Sequence, residues 1–162
     1  MHMATTTRWW TAADLDGMPE DGCRYEVLEG ELLVTPSPAR GHSIVTVRLG
    51  ELLSAYCRAH AVGDVMAPGV VRWNANELQP DLMVSSFEPW HTRWEASEPP
   101  LLVVEIHSPS TQLRDRGLKR LAYMNLGIPE YWQVDIDQRV IRVTRPQQDE
   151  VLATSMLEWR PR

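Results

Sequence analysis

The chain has 162 residues, 43% of them hydrophobic and 23% charged, with a formal net charge of −6. That size and balance predict one globular domain over residues 1–162 with a real core, and they exclude wholesale disorder. The acidic balance argues against a protein that simply coats nucleic acid, but not against an enzyme that touches it through one small basic patch.

The longest apolar run, beginning at Leu101, is far too short for a membrane span. No basic segment followed by an apolar one opens the sequence, and the two cysteines, Cys23 and Cys57, make no disulfide framework. The expected compartment is the cytoplasm, with no membrane partner.

Thr11 to Leu15 reads as a short capped helix. Tyr25 to Leu28 and Glu31 to Thr35 are apolar runs joined by Glu29-Gly30, which predicts a tight hairpin. From about Ala39 to His60, Val45, Leu49, Leu52, Leu53 and Tyr56 recur at helical spacing and form an apolar stripe. Val65 to Trp73 reads as one strand interrupted near Pro68-Gly69, and Pro80 introduces a short strand from Asp81 to Val84.

Leu101 to Ile106 is apolar on both faces except for Glu105, the pattern of a central strand covered on both sides. Asp115 to Leu126 is read as a helix with Leu118, Leu121 and Ala122 on its apolar side. Glu130 to Asp135 and Arg139 to Thr144 form a second hairpin, and a last strand is expected near Val151 to Leu157. The order predicts an α/β or α+β domain with a mixed sheet flanked by helices.

Three residues stand out chemically. Glu105 is a carboxylate inside an apolar strand, costly to desolvate unless compensated. Either it reaches a cleft at the strand's end or an arginine holds it in a purely structural pair. Asp81 follows a proline, a common turn arrangement. Carboxylates on neighbouring strands could nevertheless converge on one hard cation such as Mg²⁺, which binds phosphate and activates water.

Lys119 is the only lysine among sixteen basic residues, either a solvated helix lysine or a compact point charge standing where the arginine fork could not serve. Asp115, Lys119 and Tyr123 are spaced to share one helix face. Lys119 therefore either pairs with Asp115 across one turn or stands beside Glu105, where it would stabilise charge on a phosphate.

Several segments, taken in order, resemble one family. Arg24 to Leu32 (RYEVLEGEL) resembles the opening "RYELIDGEL" of the Uma-two family of endonuclease-like proteins. Ser37-Pro38 followed by His42, then Gln79-Pro80-Asp81-Leu82, are similar to its next segments. Val103 to Thr111 (VVEIHSPST) resembles its "VVEVLSPST", and Asp115 to Lys119, Tyr123 and Gly127 to Trp132 resemble "DRGEK…Y…GVPEYW". The resemblance spans about residues 24–145.

It implies the PD-(D/E)XK, restriction-endonuclease-like fold: a mixed central sheet between helices, with an N-terminal hairpin. It also implies Mg²⁺- or Mn²⁺-dependent hydrolysis of DNA, with Asp81 as the acid of "PD" and Glu105 as the acid of "(D/E)XK". The lysine two residues on is replaced by His107, and the family's lysine in the following helix corresponds to Lys119. Glu26 matches an early acidic position, with Glu29 and Glu31 as competitors.

Under this reading Asp81, Glu105 and the Ile106 backbone carbonyl are the expected metal ligands. Lys119 positions water, and Arg114, Arg116 and Arg120 hold flanking phosphates. His107 is either a further ligand or proton shuttle on the Glu105 side of the strand, or a histidine satisfied by a backbone carbonyl. His42 either approaches the same cleft or is structural, while His60 and His91 are expected at the surface. Trp73, Trp132 and Trp159 are expected to pack on the sheet, and Trp90 and Trp94 either line a groove or do nothing specific. A homodimer is expected. The alternative is a catalytically silent nuclease-fold module acting in binding or protein–protein interaction, which the acidic charge favours. A serine hydrolase using Ser108 or Ser110 lacks a G-x-S-x-G elbow.

Overall fold

The computed structural model describes residues 8–107 and 113–161, with the side chains of residues 113–116 outside that description. Ten strands and two α-helices follow one another as β1 (Arg24–Leu28), β2 (Glu31–Thr35), α1 (Arg40–His60), β3 (Asp64–Met66), β4 (Val71–Trp73), β5 (Asn76–Leu78), β6 (Leu82–Ser85), β7 (Leu102–His107), α2 (Leu113–Asn125), β8 (Tyr131–Asp135), β9 (Val140–Thr144) and β10 (Val151–Ala153). The expected short N-terminal helix is a 3-10 turn, Ala12–Gly17, with Asp14 accepting from the backbone N–H and hydroxyl of Thr11.

The architecture is mixed α/β, with two sheets rather than one. Six strands in the order β10-β9-β8-β7-β6-β3 form the larger sheet, antiparallel except for the β7–β8 pair. The hairpin β1–β2 joins β5 and β4 in a separate antiparallel sheet, β2-β1-β5-β4. Its turn uses left-handed backbone at Glu29 (φ 49°) and Gly30 (φ 80°), the conformation that makes Gly the favoured second residue.

The segment read as one interrupted strand is two strands in different sheets, since β3 pairs with β6 and β4 with β5. Pro68 and Gly69 mark a change of sheet rather than a kink.

Strand alternation sorts the core. Leu102, Val104 and Ile106 of β7 face α1 together with Leu82, Val84, Trp132, Val134 and Trp159, against Leu53 and Cys57 of the helix. Val103 faces the other way, with Met83, Tyr131 and Ile128, against Tyr123 of α2 and the smaller sheet's Leu28, Val71 and Leu78. Glu105 shares the Val103 face, so it points between α2 and the smaller sheet.

Two stripes differ from expectation. Leu52 of α1 is 69% exposed. On α2, Leu118 and Leu121 face outward, whereas Lys119 and Tyr123 are buried and Ala122 packs against the core. The inward face of α2 carries the lysine, so hydrophobicity alone picks the wrong side of that helix.

Candidate active site

Asp81 immediately precedes β6. The pairing of Leu82 with Val104 extends by one residue to set Asp81 opposite Glu105 on the same sheet face. The backbone N–H of Ile106 donates to Asp81 Oδ2 at 2.7 Å, fixing the carboxylate against β7. Glu26 arrives from the other sheet, because alternation on β1 turns Arg24, Glu26 and Leu28 to one side. It is fully buried and accepts the backbone N–H of Gln79 at 2.7 Å.

Lys119 joins these elements. Its Nζ lies 2.8 Å from each oxygen of Glu26 and 3.2 Å from Glu105 Oε1. Tyr123, one turn further along α2, donates its hydroxyl to the same Glu105 oxygen at 3.2 Å. Arg24 covers Asp81, its Nη1 donating to Asp81 Oδ1 and to the Gln79 carbonyl, each at 2.8 Å. His42, at the start of α1, places Nε2 3.0 Å from Asp81 Oδ2.

The electrostatics separate the two strand acids. Burial pushes Asp81 upward, but His42, Arg24 and the Ile106 N–H outweigh it and hold the carboxyl at about 2. Glu105 is pushed up to about 7 by burial, with Asp81 and Glu26 adding to the effect and Lys119 and Arg24 opposing it. Burial works against the charge on Lys119, yet Glu105 and Glu26 prevail and raise its pKa. The lysine is therefore a fixed cation. Tyr123 is raised well above its ordinary value by burial and by the same carboxylates, so its hydroxyl keeps its proton.

The sequence candidates Asp81, Glu105, Lys119, Glu26 and His42 thus meet in one place. Lys119 pairs with Glu26 and Glu105 there. His107 lies on the Glu105 face two residues on, buried, and lines an open cleft with Arg120. Arg114 and Arg116 have side chains outside the described residues, as do Ser108 and Ser110 altogether. His60, His91 and Trp90 are exposed, Trp94 less so, while Trp132 and Trp159 are buried in the α1 core and Trp73 packs against the other core.

Arg24 is the member given no role from sequence. Its signal was present, since a residue two before Glu26 on a strand shares its face.

The donor set suits a hard divalent cation: Glu26, Asp81 and Glu105 bring three carboxylates against the two permanent cations Arg24 and Lys119. A strand residue's carbonyl points to the same edge as its N–H, so the Ile106 carbonyl also looks toward Asp81. The set is not preassembled. Among the described residues no three of His, Cys, Asp and Glu are grouped so as to hold an ion as they stand.

Two acids on adjacent strands, with a lysine projecting from the helix that follows, define a buried charged cluster in a mixed α/β fold. The chain belongs to the Uma2 family, described as "Putative restriction endonuclease", whose model matches residues 12–160. A solved structure from Anabaena variabilis ATCC 29413, described as a "putative nuclease belonging to DUF820", shares the fold with a TM-score of 0.81 and 19% identity, covering 93% of this chain and 89% of that one. No curated protein matches the chain.

Proposed function

We propose that the chain is a divalent-metal-dependent endonuclease that hydrolyses DNA phosphodiester bonds at the Glu26–Asp81–Glu105–Lys119 cluster. One observation carries the reading: carboxylates from two sheets are buried around a single ammonium. Apolar residues of the same volume often hold such a core about as well, so the cluster's charges favour a chemical role beside its structural one. Membership of a family described as "Putative restriction endonuclease" supports a nuclease-like function.

Asp81, Glu105 and the Ile106 carbonyl would hold Mg²⁺ or Mn²⁺. When bound, such an ion neutralises charge on the phosphoryl oxygens and lowers the pKa of water. Lys119 keeps its proton, so it acts as a donor of hydrogen bonds to the attacking water or a non-bridging oxygen, not as a base. Glu26 fixes the ammonium, Tyr123 steadies Glu105, and His42 and the Ile106 N–H orient Asp81. The water oxygen bonds to phosphorus as the bridging P–O bond breaks. The water loses one proton and the departing oxygen gains one.

Plasmid nicking with Mg²⁺ or Mn²⁺ tests this. The wild type nicks, and Asp81→Ala, Glu105→Ala and Lys119→Ala each abolish it. Equal nicking by all three would reveal a contaminating nuclease and refute the reading.

A second reading, a nuclease-fold module that binds without cutting, is favoured by the occupation of both Asp81 oxygens by Arg24, His42 and the Ile106 N–H. Calorimetric titration separates the two readings. Absence of Mg²⁺ binding at millimolar concentration, with folding intact, supports the module.

A further inference from the structure

The polar row that begins at Asp81 and Glu105 continues across the sheet. Strand pairing sets Glu105 beside Gln133 of β8, and Gln133 beside Arg142 of β9. The side chains flanking Gln133, Trp132 and Val134, enter the α1 core, so Gln133 shares the Glu105 face. In the next register row His107 stands beside Asp135. His107, Gln133, Asp135 and Arg142, one step along the sheet from Glu105, line an open cleft that Gly117 and Arg120 of α2 also line.

Gln133 is only 5% exposed, and its amide, which makes no hydrogen bond with a described residue, keeps that small accessible area on the cleft. Its neighbours in the row are engaged: Glu105 by Lys119 and Tyr123, and Arg142 by Gln138 at 3.0 Å and Glu150 at 3.6 Å. A primary amide carries two donors and an acceptor, and here they open on the cleft, within reach of a ligand there. Arg120, partly buried on the helix wall, likewise makes no hydrogen bond or ion pair with a described residue.

We propose that this cleft is the nucleotide subsite beside the reacting phosphate, with Gln133 hydrogen-bonding a base edge and Arg120 receiving that nucleotide's phosphate. The position of the reacting phosphate rests on the nuclease reading; the binding itself does not. An amide offers donor and acceptor side by side, the pairing that a base edge presents. The cleft's charges are mixed, with Arg120 and Arg142 set against Asp135 and Glu150. That balance suits one polar ring next to one phosphate better than a run of phosphates. Adjacent strands lie about 5 Å apart, so Gln133 is within one nucleotide's reach of Glu105.

The test uses the full chain and the dinucleotide thymidylyl-thymidine, titrated without divalent cation and followed by the side-chain amide resonances. The Gln133 pair is assigned by its loss in Gln133→Leu. It is expected to shift on titration, and Gln133→Leu to weaken binding about tenfold. Arg120→Ala is expected to weaken binding with a salt dependence shallower by about one unit of slope.

In oligonucleotide cleavage with Mg²⁺, Gln133→Leu is expected to raise KM. If Gln133→Leu fails to fold, Gln133→Asn, which retains the amide one methylene shorter, is expected to weaken binding in the same assays. An unmoved Gln133 resonance at saturation overturns the proposal, as does wild-type binding and cutting by the variants. Wild-type KM in Gln133→Leu removes the subsite and leaves the nuclease standing. A shifted resonance in a wild-type protein that does not cut keeps the subsite and removes the nuclease.

Discussion

Lys119 Nζ lies 2.8 Å from both carboxylate oxygens of Glu26, a residue ninety-three positions earlier in the chain and in the other sheet's hairpin. This contact ties α2 and the smaller sheet to Glu105 of the larger one. The same ammonium that would serve a phosphate is therefore also a structural keystone between two layers.

Removing that ammonium should cost stability as well as activity. Lys119→Met leaves Glu26 and Glu105 buried around an apolar group, and a loss of about 3–5 kcal/mol is expected in urea unfolding. Lys119→Arg keeps the charge but offers a planar fork where a point charge fits. It should unfold nearer the wild type and still fail to nick DNA. Full nicking by Lys119→Arg would show that the geometry of the ammonium is irrelevant.

Arg24 competes for the acid that a metal ion would use. Arg24→Met should destabilise the fold by about 2 kcal/mol, allowing for the guanidinium's partial exposure. It should also free Asp81 Oδ1 and tighten Mg²⁺ binding in calorimetry. Unchanged or weaker Mg²⁺ binding would show that Arg24 is not in competition with the ion.

The two strand acids give opposite pH dependences. Glu105 titrates at about 7, above its ordinary value of 4.5, so the folded state holds a proton that the unfolded state has lost between those values. Stability should therefore fall as pH rises from about 5 to 7, by at most about 1.4 kcal/mol per unit, and level off above. Asp81, held at about 2 against 3.8, works the other way. Its contribution, on the order of 2 kcal/mol, is present above about pH 4 and lost as pH falls toward 2. Thermal melts in EDTA should show the neutral-side slope vanish in Glu105→Gln and the acid-side slope shrink in Asp81→Asn. A Glu105→Gln profile parallel to the wild type from pH 5 to 8 would contradict the assignment.

Helix α2 shows where the sequence could be read and where it could not. Its existence and the spacing of Lys119 with Tyr123 follow from the pattern, but Leu118 and Leu121 draw the apolar face to the wrong side. Burying Lys119 makes sense only once Glu26 and Glu105 are in place, and those partners come from distant segments. Local hydrophobicity has no access to that information.

The same limit explains β3 and β4, adjacent in sequence yet in different sheets. It also explains Gln133, whose chemistry emerges only from its register beside Glu105. By contrast, the β1–β2 hairpin, α1 and the buried β7 were legible because turn chemistry, helical period and continuous apolarity are local signals. The gathering of Asp81 with Glu105 was an open possibility from their neighbouring strands, and the family resemblance made it an expectation.

The helix assignment carries its own prediction. Leu118→Ser should change stability by less than about 0.5 kcal/mol, because the side chain faces outward. Tyr123→Phe should cost about 1 kcal/mol through the lost hydrogen bond to Glu105, and Tyr123→Ala about 3–5 kcal/mol through the cavity against Tyr131. Denaturant unfolding of the three variants checks the order, and a larger loss in Leu118→Ser than in Tyr123→Ala would reverse the faces.

The most direct measurement of the central claim is anomalous diffraction from a crystal grown with Mn²⁺. The account predicts one strong peak at about 2 Å from oxygens of both Asp81 and Glu105, with Lys119 Nζ beside it and Arg24 withdrawn from Asp81. A fully occupied Mn²⁺ elsewhere on the chain, with Arg24 still seated on Asp81 and no peak between the two acids, would contradict it.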